Sequence, residues 1–276
     1  MNRLIPIIAV LALTSAACGG DDDGDAAAEP TKITIMTTEY GFSLPDTFSG
    51  GLVEITLDNT GGTESHEAEM IRLDAGKTQG DLLTALAAGG PPPAFAHASS
   101  GPGPVLPGET ATYTANVDPG TYVFVCHVPA PDGQEHLQKG MIAQAEVSEG
   151  TSATLPASDT TITLKEFQFG GLETLKAGSQ TVRVANEGTQ DHHIAVVALA
   201  EGKTAADLAA FFAEEAPAGP PPFTGFPGLM ATMAPGSEAL RTLELVGGTT
   251  YAFACFIPDT DGTPHFAKGM AGEITV

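Results

Sequence analysis

The sequence predicts an all-β protein built from two tandem β-sandwich domains, each with a short helical insertion. Residues 32–36 and 52–57 alternate apolar and polar side chains and are bounded by turn-forming residues, which is typical of sandwich strands. Thr78 and Asp81 resemble a helix capping box ahead of leucines at helical spacing. The strand pattern restarts near Thr161, and a chain of 276 residues is long enough for two such domains.

The chain divides into five predicted segments. Residues 1–18 have the pattern of a secretory signal, because Arg3 precedes an apolar run at 4–17 that is short for a membrane span. Residues 19–30 are mostly Gly, Asp and Ala, so we expect a flexible acidic tether. We then expect domain 1 at residues 31–148, a linker at 149–158 and domain 2 at 159–276.

The segment around Cys18 resembles a bacterial lipoprotein signal, because Gly-Gly-Asp-Asp-Asp follows the cysteine. The resemblance implies lipid attachment at Cys18 and an extracytoplasmic protein anchored to a membrane of the cell envelope. That family usually has Leu three residues before the cysteine, whereas this chain has Ser15. Cleavage near Ala17, which would release a secreted protein, is the alternative. Both alternatives predict export.

The two halves repeat one pattern of metal-ligand side chains. Residues 122–141 read YVFVCHVPAPDGQEHLQKGM, and residues 251–270 read YAFACFIPDTDGTPHFAKGM. Each copy has a Cys, a His ten residues later and a Met five residues after that, and an Asn-turn-His segment precedes each copy. Such a repeat indicates tandem duplication. The eight candidate metal ligands are His66, Cys126, His136, Met141, His192, Cys255, His265 and Met270.

Thiolate, imidazole and thioether form a soft ligand set that suits copper better than magnesium or calcium. Two His and one Cys with a weak axial Met are the ligands of a blue-copper site. Two cysteines in an exported protein would by default suggest a disulfide. Because Cys126 and Cys255 hold equivalent positions in two copies of one unit, we expect both to be unbridged.

Both halves resemble cupredoxins, the family of blue (type 1) copper proteins. The matching elements are the Asn-turn-His segment, the Tyr-x-Phe-x-Cys strand and the Gly-Met pair before the last strand. The resemblance implies Greek-key β-sandwich domains whose ligands gather at one end, with Met141 and Met270 axial. It also implies one copper per domain, two per chain, cycling between Cu(I) and Cu(II).

We therefore expect an exported two-domain blue-copper protein that acts in electron transfer. Copper storage or delivery in the envelope, and a metal-free binding scaffold, are the alternatives. We do not expect an enzyme. Laccase-like oxidases carry His-x-His and His-Cys-His clusters that this chain lacks, and copper nitrite reductases have His before the ligand Cys, where Val125 and Ala254 stand here. We expect His97 on the surface and His127 pointing away from the copper.

The net charge of the chain indicates which kinds of partner it can bind. Asp and Glu total 34 against 11 Lys and Arg, a formal net charge of −23. Such a surface repels nucleic acid and anionic lipid headgroups and would attract a cationic redox partner. Acidity that only keeps an exported protein soluble explains the same charge equally well.

Overall fold

The structure is a computed structural model that describes residues 29–88, 92–213, 219–227 and 230–276. The expected signal peptide with Cys18, and all of the expected tether except its last two residues, lie outside these ranges. Within the described ranges, no helix combines the length and the apolar character needed to cross a membrane.

The described residues confirm the all-β class with one α-helix inserted in each half. The first half contains β1 (Thr31–Thr38), β2 (Gly41–Ser43), β3 (Thr47–Ser49), β4 (Gly51–Asp58), β5 (Glu69–Leu73), α1 (Gln79–Ala87), β6 (Ala96–Ala98), β7 (Thr110–Val117), β8 (Gly120–Val125) and β9 (Ile142–Ser148). The second half contains β10 (Thr160–Lys165), β11 (Gln168–Gly170), β12 (Gly178–Asn186), β13 (His192–Leu199), α2 (Ala205–Ala213), β14 (Phe223–Gly225), β15 (Met230–Met233), β16 (Glu238–Leu245), β17 (Thr250–Ala254) and β18 (Ala271–Thr275). Short 3-10 helices span His136–Lys139, Leu172–Thr174 and His265–Lys268.

Each half is a sandwich of two sheets. In the first half, one sheet has the order β2-β1-β4-β7 and the other β3-β9-β8-β5-β6. In the second half, the orders are β11-β10-β12-β16 and β14-β13-β17-β18, with β15 also paired to β13. β1 runs parallel to β4, and β10 runs parallel to β12. The two halves therefore repeat one topology, as the sequence duplication predicts.

The space between the sheets is filled by the inward-facing residues of the alternating strands. Ile35 and Ile55 of one sheet and Phe124 of the other are fully buried in one continuous core. Ile162 and Phe253 contribute to the same core from the second half. Full burial of side chains of this size stabilises the fold by about 1.5–3 kcal/mol each, so the sandwich packing is the main source of stability.

Both α-helices begin with the same capping arrangement. The Asp81 amide donates to the Thr78 hydroxyl at 3.2 Å, and the Thr78 amide donates to the Asp81 carboxylate at 2.9 Å. Thr204 and Asp207 make the equivalent pair of bonds ahead of α2. These bonds satisfy amides that the first turn of a helix leaves unpaired, which fixes where each helix begins. The capping box predicted at Thr78 is confirmed.

The halves are joined by a strand pairing that the sequence did not predict. β7 pairs antiparallel with β16, matching Tyr113 with Arg241, and this makes one eight-stranded sheet from a sheet of each half. Arg241 is only 2% exposed. Its Nη2 donates to the Ser100 hydroxyl at 2.6 Å, and its guanidinium lies 4.9 Å from the Tyr113 ring centroid. Burial lowers the pKa of Arg241 to about 10, which leaves it charged at neutral pH.

Arg241→Ala should reduce the free energy of unfolding by about 1.5–3 kcal/mol, the value of a buried hydrogen bond to a charged group. Urea denaturation followed by circular dichroism measures this change. Lys32→Ala is the control, because Lys32 is mostly exposed and its ion pair with Glu54 should contribute no more than about 1 kcal/mol. Equal urea midpoints for the Arg241 variant and the parent would contradict the prediction.

Candidate metal centres

The first candidate centre, called centre 1, takes its side chains from three separate segments. His66 forms an isolated bridge with Val105 just ahead of β5, and Cys126 directly follows β8. His136 opens a 3-10 helix, and Met141 directly precedes β9. The side chains of His66, Cys126, His136 and Met141 have no solvent exposure. His66, Cys126 and His136, separated by up to 70 positions in the chain, therefore meet in one buried place, and Met141 is buried at the end of the same loop.

The two histidines and the cysteine of centre 1 face one another. The Nδ1 atoms of His66 and His136 are 3.0 Å apart, and Cys126 Sγ lies 3.5 Å from His136 Nδ1. One ligand atom from each of the three residues lies within 4.8 Å of the other two. With metal–ligand bonds of about 2.0–2.3 Å, ligand atoms around a single ion are roughly 3.3–3.8 Å apart. The arrangement therefore fits one metal ion.

The second candidate centre, called centre 2, repeats this geometry. His192 opens β13, Cys255 follows β17 and His265 opens a 3-10 helix. The two Nδ1 atoms are 3.2 Å apart, and Cys255 Sγ lies 3.4 Å from His265 Nδ1. These three side chains and that of Met270 have no solvent exposure. Cys126 and Cys255 are both free thiols, so no disulfide competes with metal binding.

The loop from Cys126 to Met141 returns to the cysteine because its backbone is tightly bonded. The amide of His136 donates to the carbonyl of Val128 at 2.9 Å, and the amide of Met141 donates to the carbonyl of His136 at 2.9 Å. Gly133 and Gly140 adopt φ of 84° and 101°, a region that strains other residues. The loop of centre 2 makes the corresponding bonds.

A buried asparagine holds the turn that leads into the first histidine of each centre. Asn59 Nδ2 donates to the carbonyls of Glu64 at 2.9 Å and Val105 at 3.0 Å. Asn186 Nδ2 donates to the carbonyl of Gln190 at 2.8 Å and to a carbonyl at the end of β15. Each amide crosslinks the turn to a neighbouring segment, which fixes the position of the histidine that follows.

The sulfur atoms accept backbone hydrogen bonds but carry protons in the metal-free protein. The Glu67 amide donates to Cys126 Sγ at 3.5 Å, and the His193 amide donates to Cys255 Sγ at 3.1 Å. Burial, with a contribution from Glu67, raises the pKa of the Cys126 thiol to about 12. Burial also raises the pKa of Cys255. Both cysteines are therefore thiols at neutral pH until a cation displaces the proton.

Burial favours the neutral form of three of the ligand imidazoles. Burial, followed by the facing imidazole, lowers the pKa of His66 and of His192, and burial lowers the pKa of His265. Two neutral Nδ1 atoms at hydrogen-bond distance share one proton at most between them. A cation between them engages both lone pairs, so the donor set fits a soft metal such as copper.

The histidines outside the two centres lie where the sequence placed them. His97 is exposed on β6, where its Nε2 lies 3.0 Å from the Asp74 carboxylate. His127 turns away from centre 1, with Nδ1 3.1 Å from Glu135 and Nε2 3.6 Å from Glu69. Over the part of the chain that the structure describes, only centres 1 and 2 bring three His, Cys or acidic ligand atoms within 4.8 Å of one another.

Sequence reasoning missed the role of the residues that follow the first histidine of each centre. Alternation placed Glu67 and His193 on the opposite strand face from the metal ligands, but it did not reveal what covers that face. Glu67 is only 5% exposed, and Glu67, His127 and His193 line one cavity of about 160 Å³ between the halves. Burial raises the pKa of Glu67 to about 7 and lowers that of His193 to about 4.

No protein-family model matches the chain, and no curated protein matches it. Solved structures do match. A dithionite-reduced auracyanin from Roseiflexus castenholzii is 25% identical over 44% of this chain and 99% of its own, with a TM-score of 0.29. A copper nitrite reductase from Nitrosomonas europaea is 16% identical over 90% of this chain and 94% of its own, with a TM-score of 0.26. A blue copper oxidase from Nitrosomonas europaea is 16% identical over 89% of this chain and 84% of its own, with a TM-score of 0.23.

These matches correct one expectation. The chain was expected not to be an enzyme, and this is wrong: the structures that match along most of it include a copper nitrite reductase and a blue copper oxidase. The expectation depended on the lack of His-x-His and His-Cys-His clusters and on Val125 and Ala254 standing where a His was required. Ligands of a catalytic metal can come from any segments that the fold brings together, so a missing local motif does not exclude an enzyme.

Copper binding should release about one proton per centre near pH 7, because the thiols are protonated while the pKa values of His66, His192 and His265 are lowered. At any pH below the Cys126 thiol pKa of about 12, the apparent affinity of centre 1 for copper should rise roughly tenfold for each unit by which the pH rises. Copper titration in weak buffer with a pH indicator counts the protons. Cys126→Ser should release one proton fewer, and an unchanged count would contradict this assignment.

Proposed function

We propose that this protein binds one type 1 copper in each half and transfers electrons. The observation that supports the proposal is the pair of buried His₂Cys groups, each with its ligand atoms within 4.8 Å and a buried methionine at the end of the same loop. This donor set is that of blue-copper electron-transfer sites. The proposed ligands are His66, Cys126 and His136 with axial Met141, and His192, Cys255 and His265 with axial Met270.

The chain's own residues support that role. Bound copper supplies a one-electron Cu(I)/Cu(II) couple. The Glu67 and His193 amides donate to the sulfur atoms and would stabilise each thiolate. Asn59 and Asn186 hold the histidine turns in place, and the sandwich excludes water from every ligand. The positions of ligands held in this way would change little between the two oxidation states of copper.

Burial also favours electron transfer over copper storage or delivery. A protein that hands over copper needs ligands that an acceptor can reach, whereas all eight proposed ligands have no solvent exposure. An electron can pass through the covering side chains without movement of the ion. Slow loss of bound copper to a strong chelator supports this choice, and loss within the mixing time would favour delivery.

Reconstitution with Cu(II) should give an intense blue thiolate-to-copper absorption from two centres. Cys126→Ser and Cys255→Ser should each remove one centre's signal, because each variant deletes one sulfur ligand and leaves the other centre intact. Visible and paramagnetic resonance spectra at two copper equivalents measure this. Asp74→Asn, which changes an exposed partner of His97, is the control and should bind two coppers. Parent-like spectra from both cysteine variants would refute the ligand assignment, and a colourless parent would favour a metal-free scaffold.

We also propose that the protein is exported and lipid-anchored to a membrane of the cell envelope through Cys18. The support is the apolar run after Arg3 that ends at a cysteine followed by a Gly- and Asp-rich segment. With a net charge of −23, we propose a cationic redox partner and no nucleic-acid partner.

Cys18→Ser should abolish incorporation of radiolabelled palmitate in a bacterial host and move the protein out of the membrane fraction, because the acylated atom is gone. Immunoblots of fractionated cells measure the distribution. Ser15→Ala, beside the same cleavage region, is the control and should remain labelled. An unlabelled parent found in the medium would instead support cleavage near Ala17.

A further inference from the structure

The second histidine of centre 1 is bonded to a carboxylate. His136 Nε2 lies 2.9 Å from Glu64 Oε2, and because an ionised carboxylate only accepts, the imidazole N–H donates. The Tyr40 hydroxyl donates to Glu64 Oε1 at 3.1 Å, and the Tyr40 ring meets the His136 ring edge-on at 5.0 Å. The Glu64 side chain is 22% exposed, so water screens its charge only in part. His136 is thus held between the metal position and a negative charge.

Centre 2 lacks this carboxylate. Gln190 occupies the position of Glu64, since its carbonyl accepts from Asn186 as the Glu64 carbonyl accepts from Asn59. Phe167 replaces Tyr40 and meets the His265 ring edge-on at 5.2 Å. In the described part of the chain, His265 Nε2 is buried and has no hydrogen-bond partner. The duplication therefore supplies a natural comparison of one centre with the carboxylate and one without it.

Three other pairs or groups of charges near the two centres are matched or neutralised. Glu39 and Glu166 each accept the amide of the turn ahead of the first histidine. Lys139 and Lys268 each lie over the aromatic ring beside the second histidine, at 5.1 and 5.3 Å. Asp259, which lies near His265, forms an ion pair with Lys268. Glu64 is the carboxylate in direct contact with a ligand imidazole at centre 1 that centre 2 lacks. The centres also differ at Glu67, which acts on Cys126 and is replaced by His193 beside Cys255.

We propose that Glu64 gives centre 1 a lower reduction potential than centre 2, so that electrons pass within the molecule from centre 1 to centre 2. This inference rests on the proposed function. A carboxylate that accepts from Nε2 raises the basicity of the ligating nitrogen. Its charge also interacts more strongly with Cu(II) than with Cu(I), because Coulomb energy scales with charge. Both effects favour the oxidised form of centre 1.

The transfer step is a single-electron exchange between the two centres. With copper held by His66, Cys126 and His136 in centre 1 and by the equivalent residues in centre 2, one electron would leave Cu(I) of centre 1 and reduce Cu(II) of centre 2, with no bond made or broken. The proton on His136 Nε2 stays hydrogen-bonded to Glu64. An external one-electron donor reduces centre 1 again, and an external one-electron acceptor oxidises centre 2.

The interface between the halves offers a route for that electron. Glu67 and His193 directly follow the first histidine of centres 1 and 2, and His127 directly follows Cys126. All three line the cavity of about 160 Å³ between the halves. Each centre is thus covalently connected to the same cavity through a residue adjacent to a ligand.

Spectroelectrochemical titration of the copper-loaded full chain tests the proposal, with Cys255→Ser isolating centre 1 and Cys126→Ser isolating centre 2. Centre 1 should have the lower potential. Glu64→Gln in the Cys255→Ser background should keep the blue absorption and raise the potential by about 59 mV, the equivalent of a tenfold change in relative Cu(II) affinity. The control is Glu146→Gln, an exposed residue bonded to Thr121 at the opposite end of β8 from Cys126, which should cause no shift.

A blue Glu64→Gln protein with an unchanged potential would overturn the proposal, and so would a parent in which centre 1 has the higher potential. If the Glu64→Gln protein no longer binds copper, a variant that adds the carboxylate to centre 2 tests the proposal instead. Phe167→Tyr with Gln190→Glu in the Cys126→Ser background should lower the potential of centre 2, and no shift would overturn the proposal. A parent that never turns blue refutes the proposed function instead, so the two failures are distinguishable.

Discussion

The close approach of two imidazoles and one thiol at a place shielded from solvent is the constraint on which the rest of this structure depends. The ligand atoms lie within 4.8 Å of one another in each half, and none of these side chains reaches solvent. Buried polar atoms are costly unless they are satisfied, and a single soft cation would engage all three at once. The asparagine crosslinks and the tightly bonded Cys–Met loops hold these atoms together. Several segments of each half therefore fix the position of one cluster.

Duplication gave the protein two such clusters, and the surroundings of the clusters have since diverged. Glu64 and Tyr40 border centre 1, whereas Gln190 and Phe167 border centre 2. The halves also share a sheet through β7 and β16, and Arg241 is buried across that junction. The two clusters are thereby fixed relative to each other, which is a precondition for directional electron exchange between them.

The cupredoxin-like sandwich does not by itself separate an electron carrier from an enzyme. The proposed type 1 centre would perform the same one-electron step in a carrier or in an enzyme, so the geometry of His66, Cys126 and His136 is compatible with both.

The sequence by itself determined the features that depend on neighbouring residues. The alternation of apolar and polar residues predicted the strands, and the Thr78–Asp81 spacing predicted the start of α1. The repeated spacing of Cys, His and Met predicted which residues form the two clusters. Only the tertiary structure decided that β7 pairs with β16, that Glu67 is buried against the other half and that Glu64 reaches His136. Periodicity assigns a residue to one face of a strand. What packs against that face comes from segments distant in the chain, and long-range packing decides it.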